Sequence, residues 1–184
     1  MSTVVVCDYG AGNTRSVRAT LRRLGFETVL SSSPNDLYRA ERVVLPGVGS
    51  ARTAMEHLRS TGADDALRQR FEDGRFTLGI CLGLQLALES TEEDGGVETL
   101  GLLAGQVYRL TEGRVPRLGW TTVDPWGVAF YFAHGFAATS PFTTATADGV
   151  AAVIESGPFF GVQFHPEKSG PVGERWLASC LSLA

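Results

Sequence analysis

The 184-residue chain has the length of one domain, and its composition excludes several classes of protein. Hydrophobic residues make up 43% and charged residues 20%, as in ordinary globular proteins. The net charge of −4 gives no reason to expect a nucleic-acid or membrane partner. No apolar run approaches the roughly 20 residues that span a bilayer, and the N-terminus lacks a signal-peptide pattern. We therefore expect a single domain over residues 1–184 and a cytoplasmic location.

The cysteines and glycine-rich segments argue against metals and cofactors. Cys7, Cys81 and Cys180 are odd in number and irregularly spaced, which fits neither a disulfide framework nor a zinc site. The sequence 10–12 has two glycines, but Arg15 stands where a dinucleotide-binding loop has its third glycine. No Walker A sequence occurs. The chain is expected to use neither a metal nor a cofactor.

The first half of the sequence alternates between strand and helix patterns. Short apolar or β-branched runs predict strands at 4–7, 28–30, 42–45 and 76–80. Helices are predicted at 14–24 with Asn13 as N-cap, after Ser33-Pro34, and at 51–59, 64–71 and 82–88. This alternation is typical of an α/β fold with a parallel sheet covered by helices on both faces.

The pattern changes after about residue 95. Predicted strands at 106–110, 129–132, 150–155 and 160–164 are separated by Gly, Pro and Thr turns. These runs indicate mixed or antiparallel additions to the sheet. A closing helix is predicted at 171–183.

One segment has the form of a nucleophile elbow, Gly79-Ile80-Cys81-Leu82-Gly83. In such an elbow a strand turns abruptly into a helix, and glycines two residues before and after the nucleophile avoid a collision at the corner. The Cys81 thiol would then lie at a helix N-terminus, which favours the thiolate, and the Leu82 N–H would face a developing oxyanion. The alternative is a buried Cys at a strand end with glycines nearby by chance. Cys7 and Cys180 are interpreted as packing residues.

A second segment, Gln163-Phe164-His165-Pro166-Glu167, follows the last strong strand pattern. In an extended segment His165 and Glu167 point the same way. His165 is then the candidate base for Cys81, and Glu167 the group that orients its imidazole. The alternative is a structural histidine at a strand end. His57 and His134 receive that structural interpretation first.

Together these segments resemble the class I glutamine amidotransferases, through 79–85 and 165–167. The resemblance implies a Cys81–His165–Glu167 triad and a flavodoxin-like sheet. A finer resemblance is to the HisH-type glutaminase subunits of imidazole glycerol phosphate synthase. It runs in family order through 8–13, 15–17, 45–49, 54–55, 115–120, 130–134 and 165–170.

The resemblance also implies roles for other residues. The stretch 46–49 matches the oxyanion strand, in which the N–H at Val48, beside Gly47, turns toward the oxyanion; the alternative is an ordinary turn. The implied glutamine-binding residues are Gln85, Glu93, Gly49, Gly135 and Phe136. A carboxylate at Glu93 suits the substrate ammonium, although a solvated acid is the alternative.

The implied activity is hydrolysis of L-glutamine to glutamate and ammonia. In the family, ammonia passes to a separate HisF-type (β/α)₈ cyclase, which makes imidazole glycerol phosphate and an aminoimidazole carboxamide ribotide in histidine biosynthesis. The implied assembly is a heterodimer, with Asn13, Arg18, Trp120 and Lys168 as candidates for the contact face. Arg117, Thr121 and Gly135 differ from the His, Asn and Ser common in the family.

Three alternatives remain open on the sequence alone. The chain could be a paralogous class I amidotransferase subunit that feeds ammonia to a different synthase. It could be a catalytically silent scaffold for its partner, or another hydrolase with the same triad.

Overall fold

The computed structural model describes residues 3–10 and 13–182. Six α-helices are described, α1 (Thr14–Arg23), α2 (Pro34–Arg39), α3 (Ala51–Thr61), α4 (Ala63–Glu72), α5 (Leu82–Leu86) and α6 (Gly170–Leu181). The first eight strands are β1 (Thr3–Cys7), β2 (Glu27–Ser31), β3 (Arg42–Leu45), β4 (Thr77–Ile80), β5 (Ser90–Thr91), β6 (Val97–Glu98), β7 (Gln106–Arg109) and β8 (Arg117–Val123). The others are β9 (Val128–His134), β10 (Phe136–Thr139), β11 (Thr143–Ala147), β12 (Val150–Ser156) and β13 (Phe159–Val162). Short 3₁₀ helices span Glu93–Gly95 and Pro166–Lys168.

The main sheet has seven strands in the order β11-β12-β13-β4-β3-β1-β2. The five strands from β13 to β2 are parallel, whereas β12 and β11 add to the β13 edge antiparallel. The predicted fold, a mainly parallel sheet with antiparallel additions, is confirmed. Because β3, β4 and β13 are parallel neighbours, the segments that follow them meet at one edge of the sheet.

Alternation along the central strands sends side chains to two separate cores. In β1, Val4 and Val6 belong to the core under α1 and α6. Val5 and Cys7 belong to the core under α2 to α5. Helices therefore cover both faces of the sheet, as predicted. Cys7, Cys81 and Cys180 are all buried free thiols.

Two smaller sheets lie beside the main one. One has the order β10-β7-β5-β6, and the other is the β8–β9 hairpin. An antiparallel bridge between Asp124 and Thr146 joins this hairpin to β11. The sequence patterns missed four strands of these smaller sheets and also β11 of the main sheet. Strands β5 and β6 have only two residues each, β8 contains a glycine, and β10 and β11 consist largely of Ala and Thr, so none has a strong apolar pattern.

Several predicted helix ends were displaced. Helix α1 ends at Arg23, and Gly25 follows with a left-handed φ of 88°. Asn13 occupies the N-cap position, but its side chain makes no capping hydrogen bond within the described ranges. Helix α5 ends at Leu86, two residues before the predicted end. The predicted end of the last helix, at 183, lies outside the described residues.

A fully buried arginine ties α2, α4 and β4 together. The side chain of Arg70, on α4, has a relative exposure of 0%. Burial, with a smaller contribution from Arg75, lowers the pKa of its guanidinium to about 10. The guanidinium donates to the Thr77 hydroxyl and to the carbonyls of Leu37, Tyr38, Ala40, Glu41 and Phe76.

In residues 3–10 and 13–182, no helix combines the length and the apolar character needed to cross a membrane. The same ranges hold no cluster of three or more His, Cys, Asp and Glu side chains that could bind a metal ion.

Candidate active site

Cys81 occupies a strained corner between β4 and α5. Its backbone has φ 50° and ψ −104°, a region that non-glycine residues rarely adopt. The flanking glycines allow this turn. A Cβ on Gly79 would lie 2.7 Å from the carbonyl oxygen of Gly83, and one on Gly83 would overlap the carbonyl oxygen of Leu45. The corner is therefore packed backbone against backbone.

The position of Cys81 gives it access to unpaired backbone donors. It is the N-cap residue of α5, and its side chain lies at the positive end of that short helix. Leu82 is the first residue of α5, so its N–H has no intrahelical acceptor. That N–H is available to an anion next to the thiol.

His165 and Glu167 form a buried pair. His165 Nδ1 and Glu167 Oε1 are 2.9 Å apart, and both side chains have a relative exposure of 1%. The predicted pairing is present, but the predicted reason for it was wrong. Strand β13 ends at Val162, and Glu167 lies in the 3₁₀ helix that starts at Pro166. The turn, rather than an extended segment, brings the carboxylate onto the ring.

The pair is electrostatically linked to Cys81. Burial alone would lower the pKa of His165, but the nearby Cys81 sulfur and the hydrogen bond and charge of Glu167 outweigh burial and raise this pKa to about 9. With Nδ1 donating to the carboxylate, Nε2 faces the thiol side of the ring. Nε2 is sealed from solvent and has no standard hydrogen-bond partner in residues 3–10 and 13–182. It is the nitrogen left to exchange a proton with the sulfur.

The backbone of His165 is anchored to the β8–β9 hairpin. Its N–H donates to the Tyr131 carbonyl at 2.8 Å. The Ser169 hydroxyl donates to the His165 carbonyl at 2.7 Å and accepts from the Tyr131 N–H at 3.0 Å. Sequence reasoning gave Ser169 no role, because a serine that bonds only to backbone has no distinguishing sequence pattern.

A small cavity opens above Cys81. Its volume is about 130 Å³. Most predicted site residues outside the triad line it together with the nucleophile. These are Val48, Gly49, Leu82, Gln85, Glu93, Gly135 and Phe136. His134, interpreted from sequence as a structural histidine, lines it as well. Its buried imidazole has a pKa lowered chiefly by burial. The cavity suits a free amino acid better than a drug-sized ligand or a peptide.

The two glycines of the 46–49 segment serve different purposes. Gly49 has φ 117°, so it needs the conformational freedom of glycine. Gly47 does not have a positive φ, and a Cβ there would overlap the Ile80 carbonyl and the Leu82 N–H. Gly47 is thus a close-contact position against the elbow and lies behind the cavity rather than in its lining.

Glu93 is half-buried and bonded, not a freely solvated acid. Its Oε2 accepts from the Ala51 N–H at 2.9 Å, at the start of α3. Burial raises the pKa of Glu93, the Ala51 bond opposes this, and the charge of Asp94 adds to the increase. Asp94 accepts from the Ser50 hydroxyl at 2.6 Å. The acidic pair therefore caps the N-terminus of α3.

A buried row of polar groups runs behind the cavity to the sulfur. Phe136 O lies 2.8 Å from His134 Nδ1 and accepts from Gln85 Nε2 at 3.1 Å. Gln85 Nε2 also donates to Gln163 Oε1 at 3.0 Å, and Gln163 Nε2 donates to Cys81 Sγ at 3.4 Å. Sequence reasoning missed Gln163, although it lies two residues before His165.

The four candidate interface residues are not equivalent in the structure. Trp120 is 58% exposed on β8, next to Leu118 at 61%, and its ring meets Tyr131 edge-on at 6.3 Å. Lys168 is exposed in the 3₁₀ helix that packs on β9. Arg18 is partly buried, and its Nε donates to the Thr28 hydroxyl of β2 at 3.4 Å.

Comparison with known proteins identifies the family to which the chain belongs. The sequence profile of the family "Glutamine amidotransferase class-I" matches residues 5–182. The chain is 41% identical to imidazole glycerol phosphate synthase subunit HisH of Symbiobacterium thermophilum, covering 97% of this chain and 93% of that protein. It is 40% identical to the chloroplastic imidazole glycerol phosphate synthase hisHF of Arabidopsis thaliana, covering 94% of this chain but 33% of that protein.

Similarity of fold extends further than similarity of sequence. A crystal structure of a glutamine amidotransferase superposes with a TM-score of 0.79 at 23% identity, covering 97% of each chain. The chain belongs to the class I glutamine amidotransferase family and, within it, to the HisH-type subunits of imidazole glycerol phosphate synthase.

Proposed function

We propose that this chain is the glutaminase subunit of an imidazole glycerol phosphate synthase, working in the cytoplasm as one amidotransferase domain over residues 1–184. The observation that carries the proposal is a thiol on a strained elbow at the floor of a small cavity, with the buried His165–Glu167 pair linked to it. The match of the family profile to residues 5–182 supports the single domain.

In the first half of the reaction, Cys81 attacks the side-chain amide of glutamine. The sulfur, ionised by proton transfer to His165 Nε2, bonds to the amide carbon, and the carbonyl oxygen becomes an oxyanion. The C–N bond then breaks, His165 returns its proton to the leaving nitrogen, and ammonia departs. A γ-glutamyl thioester remains on Cys81.

In the second half, water cleaves the thioester. His165 takes a proton from water, the hydroxide oxygen bonds to the acyl carbon, and the sulfur leaves as thiolate. Glutamate is the product. Glu167 holds the imidazole in the required tautomer and stabilises its cation throughout.

The oxyanion needs donors at the corner. Leu82 supplies its helix N-terminal N–H, and Val48 supplies the second once its peptide turns inward. Val48 is 36% exposed, and the left-handed Gly49 that follows allows such a turn. Gly47 supports this pair by letting the loop rest against the elbow.

The remaining cavity residues bind the amino-acid end of the substrate. Glu93 pairs with the substrate ammonium, and Gln85 contacts polar groups of the substrate. Gly49, Gly135 and Phe136 contribute backbone and the wall of the cavity. The common lining of one cavity supports these assignments.

Ammonia requires an acceptor on a second protein, since free ammonia is largely protonated at neutral pH. We propose a HisF-type (β/α)₈ cyclase as the heterodimer partner. The Arabidopsis relative supports this, because its name joins both subunits and this chain matches only 33% of it. The product pair would be imidazole glycerol phosphate and the aminoimidazole carboxamide ribotide.

The proposed contact face surrounds Trp120, with Asn13, Arg18 and Lys168 at its margin. Trp120 and Leu118 form an exposed apolar pair that suits a protein interface better than water. A wider cavity of about 530 Å³ lies beside them, and its lining contains none of the triad residues. That cavity is more consistent with docking than with the chemistry.

The decisive experiment measures glutamate release with and without a HisF-type cyclase and its nucleotide ligand. We expect slow turnover alone and strong stimulation by the loaded partner. Cys81→Ala should abolish turnover in both conditions while leaving complex formation intact. A silent scaffold would bind the partner but release no glutamate, and equal turnover with and without partner would refute the regulated assembly.

A further inference from the structure

Gln163 touches the nucleophile, although the proposed mechanism gives it no task. Its side chain has a relative exposure of 0%. It follows β13 by one residue, and its backbone N–H is held by the Ala152 carbonyl at 2.9 Å. From there its side-chain amide reaches both Cys81 Sγ and Gln85. Burying a side-chain amide without hydrogen-bond partners costs free energy, so the orientation of the Gln163 amide is set by the groups that it bonds to.

A backbone carbonyl fixes the direction of the hydrogen bonds. Phe136 O can only accept, so the end of the Gln85 amide that faces it must be the NH₂ group. The second N–H of that group meets Gln163, which must therefore present its carbonyl oxygen. The NH₂ group of Gln163 is then the end that faces Cys81 Sγ. Reversing either amide would place two acceptors or two donors together.

The Phe136 carbonyl, where this series of hydrogen bonds begins, is itself held in place. His134 Nδ1 lies 2.8 Å from the same Phe136 oxygen, so both acceptor directions of that carbonyl are used. The four side chains involved are buried, and His134, Gln85 and Cys81 line the cavity. Because each bond of this buried network requires its donor and acceptor on particular sides, the network has one favoured arrangement of its amides.

We propose that Gln163 is a positioning residue that donates a hydrogen bond to Cys81 Sγ, favours its thiolate, and turns the carbonyl oxygen of Gln85 into the cavity. A donor aimed at sulfur stabilises negative charge there in addition to the effect of the helix N-terminus. Gln85 Oε1 takes part in no hydrogen bond with the described residues and is not sealed from the cavity. It is therefore an acceptor for an N–H group of the substrate, and this second part rests on the proposed function.

The test compares Gln163→Met and Gln163→Glu with the wild-type chain. Met keeps the size but removes the donor, and Glu keeps the shape but reverses the polarity next to the sulfur. Alkylation of Cys81 by iodoacetamide is measured against pH with peptide-resolved mass spectrometry, without glutamine or partner. We expect both variants to react about 10-fold more slowly at neutral pH, with the profile displaced to higher pH by about one unit.

The glutaminase assay, run on the complex with the cyclase, tests the second part. In Gln163→Met we expect kcat to fall about 10- to 100-fold, as for loss of a hydrogen bond to a charged group. KM for glutamine should rise as well, because Gln85 loses its fixed direction. The matched controls are Gln106→Met and Gln106→Glu, at an exposed glutamine of β7, which should leave every parameter unchanged.

A folded Gln163→Met whose alkylation profile overlays the wild-type profile would overturn the proposal. If the Gln163 variants do not fold, Gln85→Met removes the group that sets the amide direction. It should displace the profile the same way by a smaller amount, and no displacement would also overturn the proposal. If wild-type complex releases no glutamate but the profiles still shift, the proposed function fails while the role of Gln163 toward the thiol stands.

Discussion

Replacing the buried Arg70 by methionine should destabilise the chain strongly without touching the active-site groups. The guanidinium is the hydrogen-bond donor for five carbonyls, which lie in the last turn of α2, the α2–β3 connection and the α4–β4 connection. Two of them, at Leu37 and Phe76, are bonded in fully buried surroundings. If only these two lose their donor at about 1–3 kcal/mol each, the free energy of unfolding falls by about 2–6 kcal/mol.

Relief from burying a cation offsets part of that loss. Arg70 has no carboxylate partner among the ion pairs of the described residues, and burial already lowers its pKa to about 10. We therefore expect a net loss of about 3 kcal/mol, near the lower end of what breaking a buried charged network costs. For a chain of this size that lowers Tm by about 6–12 °C.

The assay is thermal and urea unfolding of three variants. Arg70→Lys keeps the charge but has fewer donors in a different geometry, so it should fall between methionine and the wild type. The control Arg39→Met changes an exposed arginine on α2 and should shift stability by less than about 0.5 kcal/mol. A folded Arg70→Met that melts within about 2 °C of the wild type would show that the carbonyls find other partners and that the reasoning is wrong.

Three further predictions concern the active site. Iodoacetamide should label Cys81 at neutral pH and spare the other two thiols, because burial raises the pKa of Cys7 far above its usual range and that of Cys180 to about 12; comparable labelling of all three would contradict this. Gly83→Ala should abolish glutamate release and lower Tm, because the added Cβ would overlap the Leu45 carbonyl. The control Gly74→Ala has open space around its Cβ but a left-handed φ, so it should lower the free energy of unfolding by only about 1–2 kcal/mol and leave activity unchanged. Because the pKa of His165 is raised to about 9, protonation of its imidazole stabilises the folded chain; this stabilisation is complete below the unfolded pKa near 6.5 and is lost as pH rises through 9. The difference in free energy of unfolding between wild type and His165→Gln should therefore decrease from pH 6.5 to 9. A difference that increases over this range would contradict the direction of the pKa shift.

The sequence predicted the central sheet well because most of its strands are short apolar runs that can be recognised without knowledge of their neighbours. Apart from Arg42 at its start, the run 42–45 is apolar, as expected of a strand buried on both faces, and the boundaries of β3 were predicted correctly. The elements after residue 95 were harder. Strand β8 alternates exposed and partly buried residues around Gly119 and is stabilised by pairing with β9 rather than by its own pattern.

The candidate site shows the same contrast. Cys81, His165 and Glu167 lie in short motifs whose chemistry is visible in residue type and spacing. Gln163 is not visible in this way, because its importance depends on the orientation of an amide 78 positions away in the chain. The contact between His165 and Glu167 was predicted, but the 3₁₀ turn that creates it was not. Hydrogen bonds between residues far apart in the chain, unlike short motifs, correspond to no fixed spacing in the sequence.

The caps on α3 have a consequence for how the cavity responds to a ligand. Glu93 and Asp94 hold the N–H groups of Ala51 and Arg52, and the hydroxyl of Ser50. Ser50 is two residues beyond Val48. An ammonium group that approaches Glu93 competes with the first N–H of α3 for the same carboxylate, and any adjustment of that helix end pulls directly on the 46–49 loop. If Glu93 binds the substrate ammonium, as we propose, recognition of the amino-acid end of glutamine is linked to the position of the Val48 peptide through the backbone of residues 48–51.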